Sequence, residues 1–328
     1  MRSAAISDQA RGVNCNAGTG DYRRGKRLSD DASLHDLGSG HKVALENPTY
    51  RQAYRLFANM SYEVCTVDMD AKGMRADRLR ESGADIAFVM PSHHYPLGTV
   101  MPIRRRMELL GWADEEEGRY IVEDDYDSEF RYVSRPIPAL GELDRTGRVV
   151  YVNTFAKSLA PGLRIGYLVL PNALMARYRE RFSRYSSTVP SFDQHTLAAF
   201  MHTGGFERHI SRSRKVYQAR RDALMAALDR ELADLPHEVS RSEAGLHLLL
   251  HMRNGMLEHE LIERAKRFGV RVYPLSAIIR AGQAAASNTR ARLCRSDRTA
   301  DRRGGKAAQA SVDKINATRS AINFCENL

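Results

Sequence analysis

The chain has 328 residues, a formal net charge of +10 and 43% hydrophobic residues. This length and composition predict a soluble globular protein with one large and one smaller domain. The four cysteines form no Cys-x-x-Cys pair, which argues against a zinc site or a disulfide framework and fits a reducing cytoplasm. No apolar run of membrane-spanning length and no signal peptide are recognised, so we expect a cytoplasmic location.

Helices and apolar strands alternate through the first half of the chain. Predicted helices cover 47–60, 75–81 and a segment that begins at 102. Predicted strands cover 63–67, 85–90, 120–122, 148–152 and 165–170. In the helix that begins at Pro102, one face carries the apolar residues Ile103, Met107, Leu110 and Ala113. Near-continuous apolar strands between helices predict an α/β domain with a mainly parallel sheet covered on both faces.

The second half of the chain has a different pattern. Helices are predicted at 174–185, 192–201 and 206–232, and strands at 246–252 and 270–273. The two strands predict a smaller α+β domain toward the carboxyl end.

Three charged residues come after two of the predicted strands. The strand at 120–122 leads to Asp124, and the strand at 148–152 leads to Lys157, with Arg164 seven residues further on. Open α/β sheets bind ligands at the carboxyl ends of their strands. An acid for a ring nitrogen, an amine for an aldehyde and a guanidinium for a phosphate are the groups that hold pyridoxal phosphate. The pattern therefore predicts a pyridoxal phosphate site, in which the phenol of Tyr126 could reach the ring hydroxyl.

Two simpler interpretations compete with this prediction. Asp124 could merely cap a strand, and Lys157 could be a solvated loop lysine. Their places at the ends of two apolar strands favour the cofactor site. The pair His93-His94 is only weakly indicative of metal, because adjacent residues of an extended strand point to opposite faces, and we predict no metal.

Five stretches of the chain occur in an order that is familiar from one family. They are 43–50 (VALENPTY), 91–98 (PSHHYPLG), 123–132 (EDDYDSEFRY), 154–167 (TFAKSLAPGLRIGY) and 244–247 (AGLH). The third and fourth are very specific. Together they resemble the aminotransferase-type domain of MocR (GabR-like) regulators, members of the fold type I pyridoxal phosphate superfamily. The resemblance implies a fold type I large domain and a smaller α+β carboxyl-terminal domain.

The resemblance also implies a role for each matching residue. Lys157 would be the catalytic residue that forms the Schiff base with pyridoxal 5'-phosphate. The other predicted site residues bind the cofactor: Asp124 at the ring nitrogen, Tyr126 at the ring hydroxyl, Tyr50 stacked on the ring, and Arg164 and Thr154 near the phosphate. Two positions depart from the family pattern, since Ala156 replaces a serine before the lysine and His94 replaces a glutamine.

The two ends of the chain match the family poorly. We predict four segments: an unmatched, poorly ordered 1–40, a large cofactor domain at 41–188, a small domain at 189–276 and a basic, poorly ordered tail at 277–328. The family's phosphate-binding turn is not recognised in the first segment, nor its substrate-carboxylate arginine in the last, although Arg51 is a nearby candidate. One hypothesis is that both ends are translated out of frame.

Three functions remain open from the sequence. The first is transfer of an amino group between an amino acid and a 2-oxo acid. The second is an effector-sensing domain of a MocR/GntR-type regulator, without its own DNA-binding domain and with no need to complete the transfer. The third is nonspecific nucleic-acid binding through the basic tail, which a sequence pI near 9.5 permits. A homodimer and a small amino acid or amine ligand are expected by resemblance.

Overall fold

The chain folds into two compact units. The computed structural model describes residues 20–24, 40–133, 137–182, 189–240, 243–267, 269–275 and 288–292. The first unit comprises Met1–Glu129 and Arg135–Ser211, and the second comprises Phe130–Ser134 and Arg212–Leu328. The predicted domain boundary after residue 188 therefore lies inside the first unit.

The first unit contains one mixed sheet. Its strands are β1 (Gly20–Arg24), β2 (Lys42–Asn47), β3 (Glu63–Asp70), β4 (Gly73–Met74), β5 (Ile86–Val89), β6 (Tyr120–Asp124), β7 (Val149–Thr154) and β8 (Ile165–Val169). Their order is β1-β8-β7-β6-β5-β2-β3-β4. The central pairs from β3 to β7 are parallel, while β8 pairs antiparallel with β7 and with β1, and β4 with β3. This architecture confirms the predicted α/β fold.

Helices cover both faces of this sheet. They are α1 (Arg51–Asn59), α2 (Ala76–Glu81), α3 (Ile103–Asp114), α4 (Leu140–Leu143), α5 (Phe155–Ser158), α6 (Asn172–Phe182), α7 (Ser191–His202) and α8 (Gly205–Glu231), which continues into the second unit. Alternate residues of a strand point to opposite faces. Thus Val122 and Val152 pack with Phe57 of α1 in one cluster, while Ile121 packs with Trp112 of α3 in another.

The second unit is built on a smaller antiparallel sheet. Its strands are β9 (His237–Ser240), β10 (His247–Met252), β11 (Tyr273–Pro274) and β12 (Asn288–Arg292), in the order β11-β12-β10-β9. The end of α8 packs on this sheet, and α9 (Glu258–Arg267) follows β10. Among the described residues, no helix is both long and apolar enough to cross a membrane.

Several elements differ from the predicted ones. The sequence pattern does not predict the central strand β2, and it assigns the last residue of that strand, Asn47, to a helix that begins only at Arg51. The strands β1 and β12 lie in segments where the pattern predicts no element, and both are held by backbone pairing with a neighbouring strand. The predicted apolar face of α3 is wrong at its start, since Ile103 and Met107 are 45% and 51% exposed.

The buried face of α3 instead includes an arginine. The guanidinium of Arg106 is fully buried and donates to the carbonyl oxygens of Met101 (3.1 Å), Pro138 (2.8 Å) and Pro91 (2.9 Å). Oε1 of Glu123 lies 3.9 Å from Nη1 of Arg106. Because the three carbonyls belong to segments that follow β5 and precede α4, Arg106 ties together the loops at one end of the sheet.

We expect Arg106→Lys to lower the free energy of unfolding by about 2–4 kcal/mol, because an ammonium group cannot reproduce three fixed donor directions. Urea unfolding followed by circular dichroism measures the change. The matched control is Arg104→Lys on the same helix, whose side chain is 90% exposed and which should leave the midpoint unchanged. Equal midpoints for the two variants would contradict this role of Arg106.

Candidate functional site

Two of the predicted cofactor residues, Asp124 and Lys157, lie where the parallel strands β6 and β7 end. Asp124 is the last residue of β6 and is paired in register with Val152 of β7. Strand β7 ends at Thr154, and Lys157 follows in the short helix α5. Since β6 and β7 are parallel neighbours, the structure brings Asp124 and the Lys157 turn to the same edge of the sheet.

Asp124 lies on the aromatic side of the sheet. It is 1% exposed and lies two residues after Val122, which belongs to the cluster on that face, so both side chains point to the same side. Tyr50, Tyr95 and Tyr126 pack against the same cluster. Tyr50, the residue before α1, makes an edge-to-face contact with Tyr95 at 5.6 Å between ring centroids. An aromatic surface beside a buried carboxylate can hold a flat, cationic ring.

The turn that carries Lys157 is anchored on both sides. The Thr154 hydroxyl accepts a hydrogen bond from the N–H of Ala156 (3.2 Å) and donates to the carbonyl of Ile165 (3.1 Å). After the lysine, the carbonyl of Ser158 accepts from Nε2 of His209 (3.1 Å). Thr154 is thus the N-cap of α5, and its predicted contact with a phosphate stays a prediction.

Arg164 has an uncommon backbone conformation. It follows the 3₁₀ turn Pro161–Leu163 with φ 52° and ψ 28°, in the left-handed region. A residue with a Cβ in that region costs roughly 1 kcal/mol, and such residues concentrate at functional sites. Its side chain is exposed, so the guanidinium is accessible to an anion.

Two buried histidines adjoin the aromatic residues. Nδ1 of His93 lies 3.0 Å from Oδ2 of Asp127 and 3.4 Å from the Tyr126 hydroxyl. Nε2 of His94 lies 3.4 Å from Oε2 of Glu46, and both side chains are 1% exposed. Glu46 also accepts the N–H of Met90 at 3.0 Å. The sequence shows that His94 is unusual but does not reveal its partner, because Glu46 lies on a strand that the pattern does not predict.

Burial shifts the pKa values of Glu46 and His94 in opposite directions. It raises the pKa of Glu46 to about 7, with a further contribution from the charge of Asp124, although the N–H groups of Met90 and Met74 oppose the shift. Burial, with His93 beside it, lowers the pKa of His94 to about 3. His94 is therefore neutral at neutral pH, and Glu46 takes up a proton as the pH falls through about 7.

Arg51 is exposed, and other predicted features lie outside the described residues. Arg51, suggested for a substrate carboxylate, is exposed at the first residue of α1. The first segment, 1–40, in which the family's phosphate-binding turn is not recognised, lies mostly outside the described residues, as does the basic tail apart from 288–292.

The Glu46 shift predicts a pH-dependent stability. The pKa of Glu46 in the folded protein lies above the ordinary value of 4.5. The contribution of Glu46 to the free energy of unfolding is therefore complete at low pH and is lost as the pH rises through about 7. Glu46→Gln keeps an amide that can donate to His94 but cannot ionise. As the pH rises from about 5 to 9, we expect the free energy of unfolding of the parent protein to fall by on the order of 2–3 kcal/mol through this group, and the variant to keep that amount.

Denaturant unfolding at several pH values tests this expectation. Exposed Glu117→Gln is the control and should follow the parent curve. His94 has the opposite pH dependence, because its pKa is lowered in the folded protein. Its contribution to the free energy of unfolding is complete above about pH 6.5 and is lost as the pH falls toward 3. Parallel curves for Glu46→Gln and the parent would show that Glu46 does not titrate in this range.

Comparison with known proteins identifies the family. Residues 33–295 match the family model described as aminotransferase class I and II. Over 269 residues the chain is 38% identical to the uncharacterized HTH-type transcriptional regulator YdeL of Bacillus subtilis (strain 168), a match that covers 82% of this chain and 58% of that protein. The probable rhizopine catabolism regulatory protein MocR of Rhizobium meliloti is 33% identical over 232 residues, 71% of this chain and 47% of that one.

The chain thus spans about half the length of the curated relatives it matches. Among solved structures, kynurenine aminotransferase of Pyrococcus horikoshii, in complex with PMP and KYN, aligns with a TM-score of 0.76 at 25% identity, covering 98% of this chain and 79% of that one. These matches confirm the predicted resemblance and the fold type I architecture. The family model alone matches most of the chain, which therefore belongs to the aminotransferase class I and II family.

Proposed function

We propose that this chain binds pyridoxal 5'-phosphate through Lys157 and transfers an amino group between an amino acid and a 2-oxo acid. The observation that carries the proposal is the parallel register of β6 and β7, which sets the buried Asp124 beside the turn that bears Lys157. The family match supports the same chemistry. In the solved kynurenine aminotransferase, the complex with PMP shows the same class of cofactor in a related fold.

The chemistry of the available side chains fits the cofactor. Asp124 is a buried carboxylate, which suits a protonated ring nitrogen because charges interact strongly away from water. Tyr50 and Tyr126 provide aromatic and hydroxyl contacts at the same face. The exposed guanidinium of Arg164 suits a phosphate, which it can bind through two parallel hydrogen bonds.

Each residue then has a defined task. A bound pyridoxal phosphate ring would supply the electron sink for a substrate that loses its α-proton. Lys157 would hold the cofactor and, as a free amine, would take that proton at its Nζ. Asp124 keeps the proton on the ring nitrogen. Arg164 and Thr154 fix the phosphate end, so that the reacting carbon stays near Lys157.

The first test is cofactor capture by the full chain. With added pyridoxal phosphate, we expect a visible absorbance band and, after borohydride reduction, a mass-labelled peptide that contains Lys157. Lys157→Ala should lose both signals, because no amine remains to bond the aldehyde. The control Lys215→Ala, at an exposed position of α8, should keep both. A labelled peptide elsewhere in the chain, or no band at saturating cofactor, would overturn the proposal.

A second test concerns Asp124. We expect Asp124→Asn to retain the Lys157 adduct but to slow the conversion of an amino acid to its 2-oxo acid by about 100-fold or more, because asparagine carries no charge to hold the ring proton. Stopped-flow absorbance with a panel of amino acids measures the rate. Asp222→Asn, exposed on α8, is the charge-matched control. An unchanged rate in Asp124→Asn would remove Asp124 from this role.

A second candidate function is effector sensing for transcription. The observation that favours it is that the chain matches HTH-type regulators over only about half of their length. A sensor and an enzyme share the attachment to Lys157 and differ in whether the amino group is transferred afterwards. If an amino acid changes the absorbance band but no 2-oxo acid is released, sensing is the better description.

The homodimer and the cytoplasmic location stay predictions. Light scattering tests whether the chain forms a dimer.

A further inference from the structure

A series of hydrogen bonds connects the end of β6 to the turn that carries Lys157. Oδ2 of Asp125 accepts from the Tyr151 hydroxyl at 2.6 Å. The oxygen of that hydroxyl accepts from Nδ2 of Asn153 at 2.9 Å. Oδ1 of Asn153 accepts from the N–H of Thr154 at 2.5 Å, and Thr154 in turn caps α5. We call these four residues the Asp125–Thr154 relay.

The side chains of Asp125, Tyr151 and Asn153 are buried on the face of the sheet opposite to Asp124. Asp125, Tyr151 and Asn153 are each 1% exposed, and Thr154 is 5% exposed. Along β7, Tyr151 and Asn153 alternate with Val150 and Val152, which face the aromatic side. The Tyr151 ring belongs to an apolar cluster with Phe155 and Tyr167. In such surroundings, loss of one hydrogen-bond partner leaves the remaining partner with a desolvation cost.

The neighbouring acid Glu123 has other hydrogen-bond partners than the Tyr151 hydroxyl. Glu123 alternates with Asp124 and lies on the same side of β6 as Asp125. Its two oxygens accept the N–H groups of Leu140 and Gly141, each at 3.0 Å. Burial and the charge of Asp125 raise the pKa of Glu123 to about 7. The two acids therefore do not compete for the Tyr151 hydroxyl.

We propose that Tyr151 and Asn153 are positioning residues for Lys157, which hold the first turn after β7 through the N–H of Thr154. This inference rests on the proposed function, because it assigns the relay a purpose at the Lys157 site. Neither side chain reaches the aromatic face. They act through the backbone at residues 154–156, so that the amine is presented at a fixed place on the sheet edge. Preorganisation of this kind lowers the entropic cost of capturing the cofactor aldehyde.

The variant that separates this role from simple packing is Tyr151→Phe, which keeps the ring and removes only the hydroxyl. In the protein without cofactor, we expect the amide hydrogens of Thr154 and Ala156 to exchange about 10-fold faster, as loss of about one hydrogen bond implies. The second readout is the rate at which the visible band forms after pyridoxal phosphate is added, which should fall by a similar factor. Exchange elsewhere in β6 and β7 should stay unchanged.

Two controls and a second variant make the test decisive. Tyr120→Phe removes a hydroxyl at the other end of β6, and Ile121→Val lowers stability in the same sheet without touching the relay; neither should alter capture. Asn153→Ala removes the hydrogen bonds to the Tyr151 hydroxyl and to the N–H of Thr154. It serves as the test variant if Tyr151→Phe does not fold. Unchanged exchange and capture in a folded relay variant, with a normal adduct in the parent protein, would overturn this inference. Failure of the parent protein itself to form an adduct on Lys157 would instead overturn the proposed function.

Discussion

The parallel pairing of β6 with β7 is the constraint on which the rest of the site depends. It sets Asp124 opposite Val152, so that the chain beyond β7 begins its turn next to a buried acid. Two residues beyond that pair lies Thr154, the cap of the helix with Lys157. Because hydrogen bonds fix the register, a slip by one residue would turn Asp124 to the opposite face and replace it with a neighbour. The site is therefore a consequence of backbone pairing as much as of its side chains.

Buried polar groups stabilise this edge of the sheet in a specific way. Arg106 binds three loop carbonyls, Glu123 binds two N–H groups of α4, and Glu46 binds the N–H of Met90. Each contact fixes a segment at the end of a strand or the start of a short helix, where regular backbone pairing stops. A loop positioned by satisfied buried groups has fewer alternative conformations, which is the condition for precise chemistry at a strand end.

The relationship to HTH-type regulators is compatible with this arrangement. Attachment of a cofactor requires the amine, the acid and the phosphate contacts, and an amino acid that reacts with the attached cofactor changes its charge and shape. Turnover additionally requires a fixed substrate carboxylate and an acid–base group that acts at the right time. One framework can therefore serve an enzyme or a sensor, and the difference resides in contacts beyond the cofactor itself.

The sequence by itself determined the α/β class and most helices and strands, because apolar periodicity leaves a local signature, and it predicted that Asp124 and Lys157 share one site. It did not show β1 or β12, which are held by backbone pairing. It assigned Ile103 and Met107 to the interior, but both are exposed. Arg106 is buried on that helix instead, because its guanidinium donates hydrogen bonds to loop carbonyls. His94 contacts Glu46, which lies 48 positions away in the sequence. Tyr151 contacts Asp125, which lies 26 positions away. Only the tertiary structure decided these, since they depend on strand order and register rather than on local pattern.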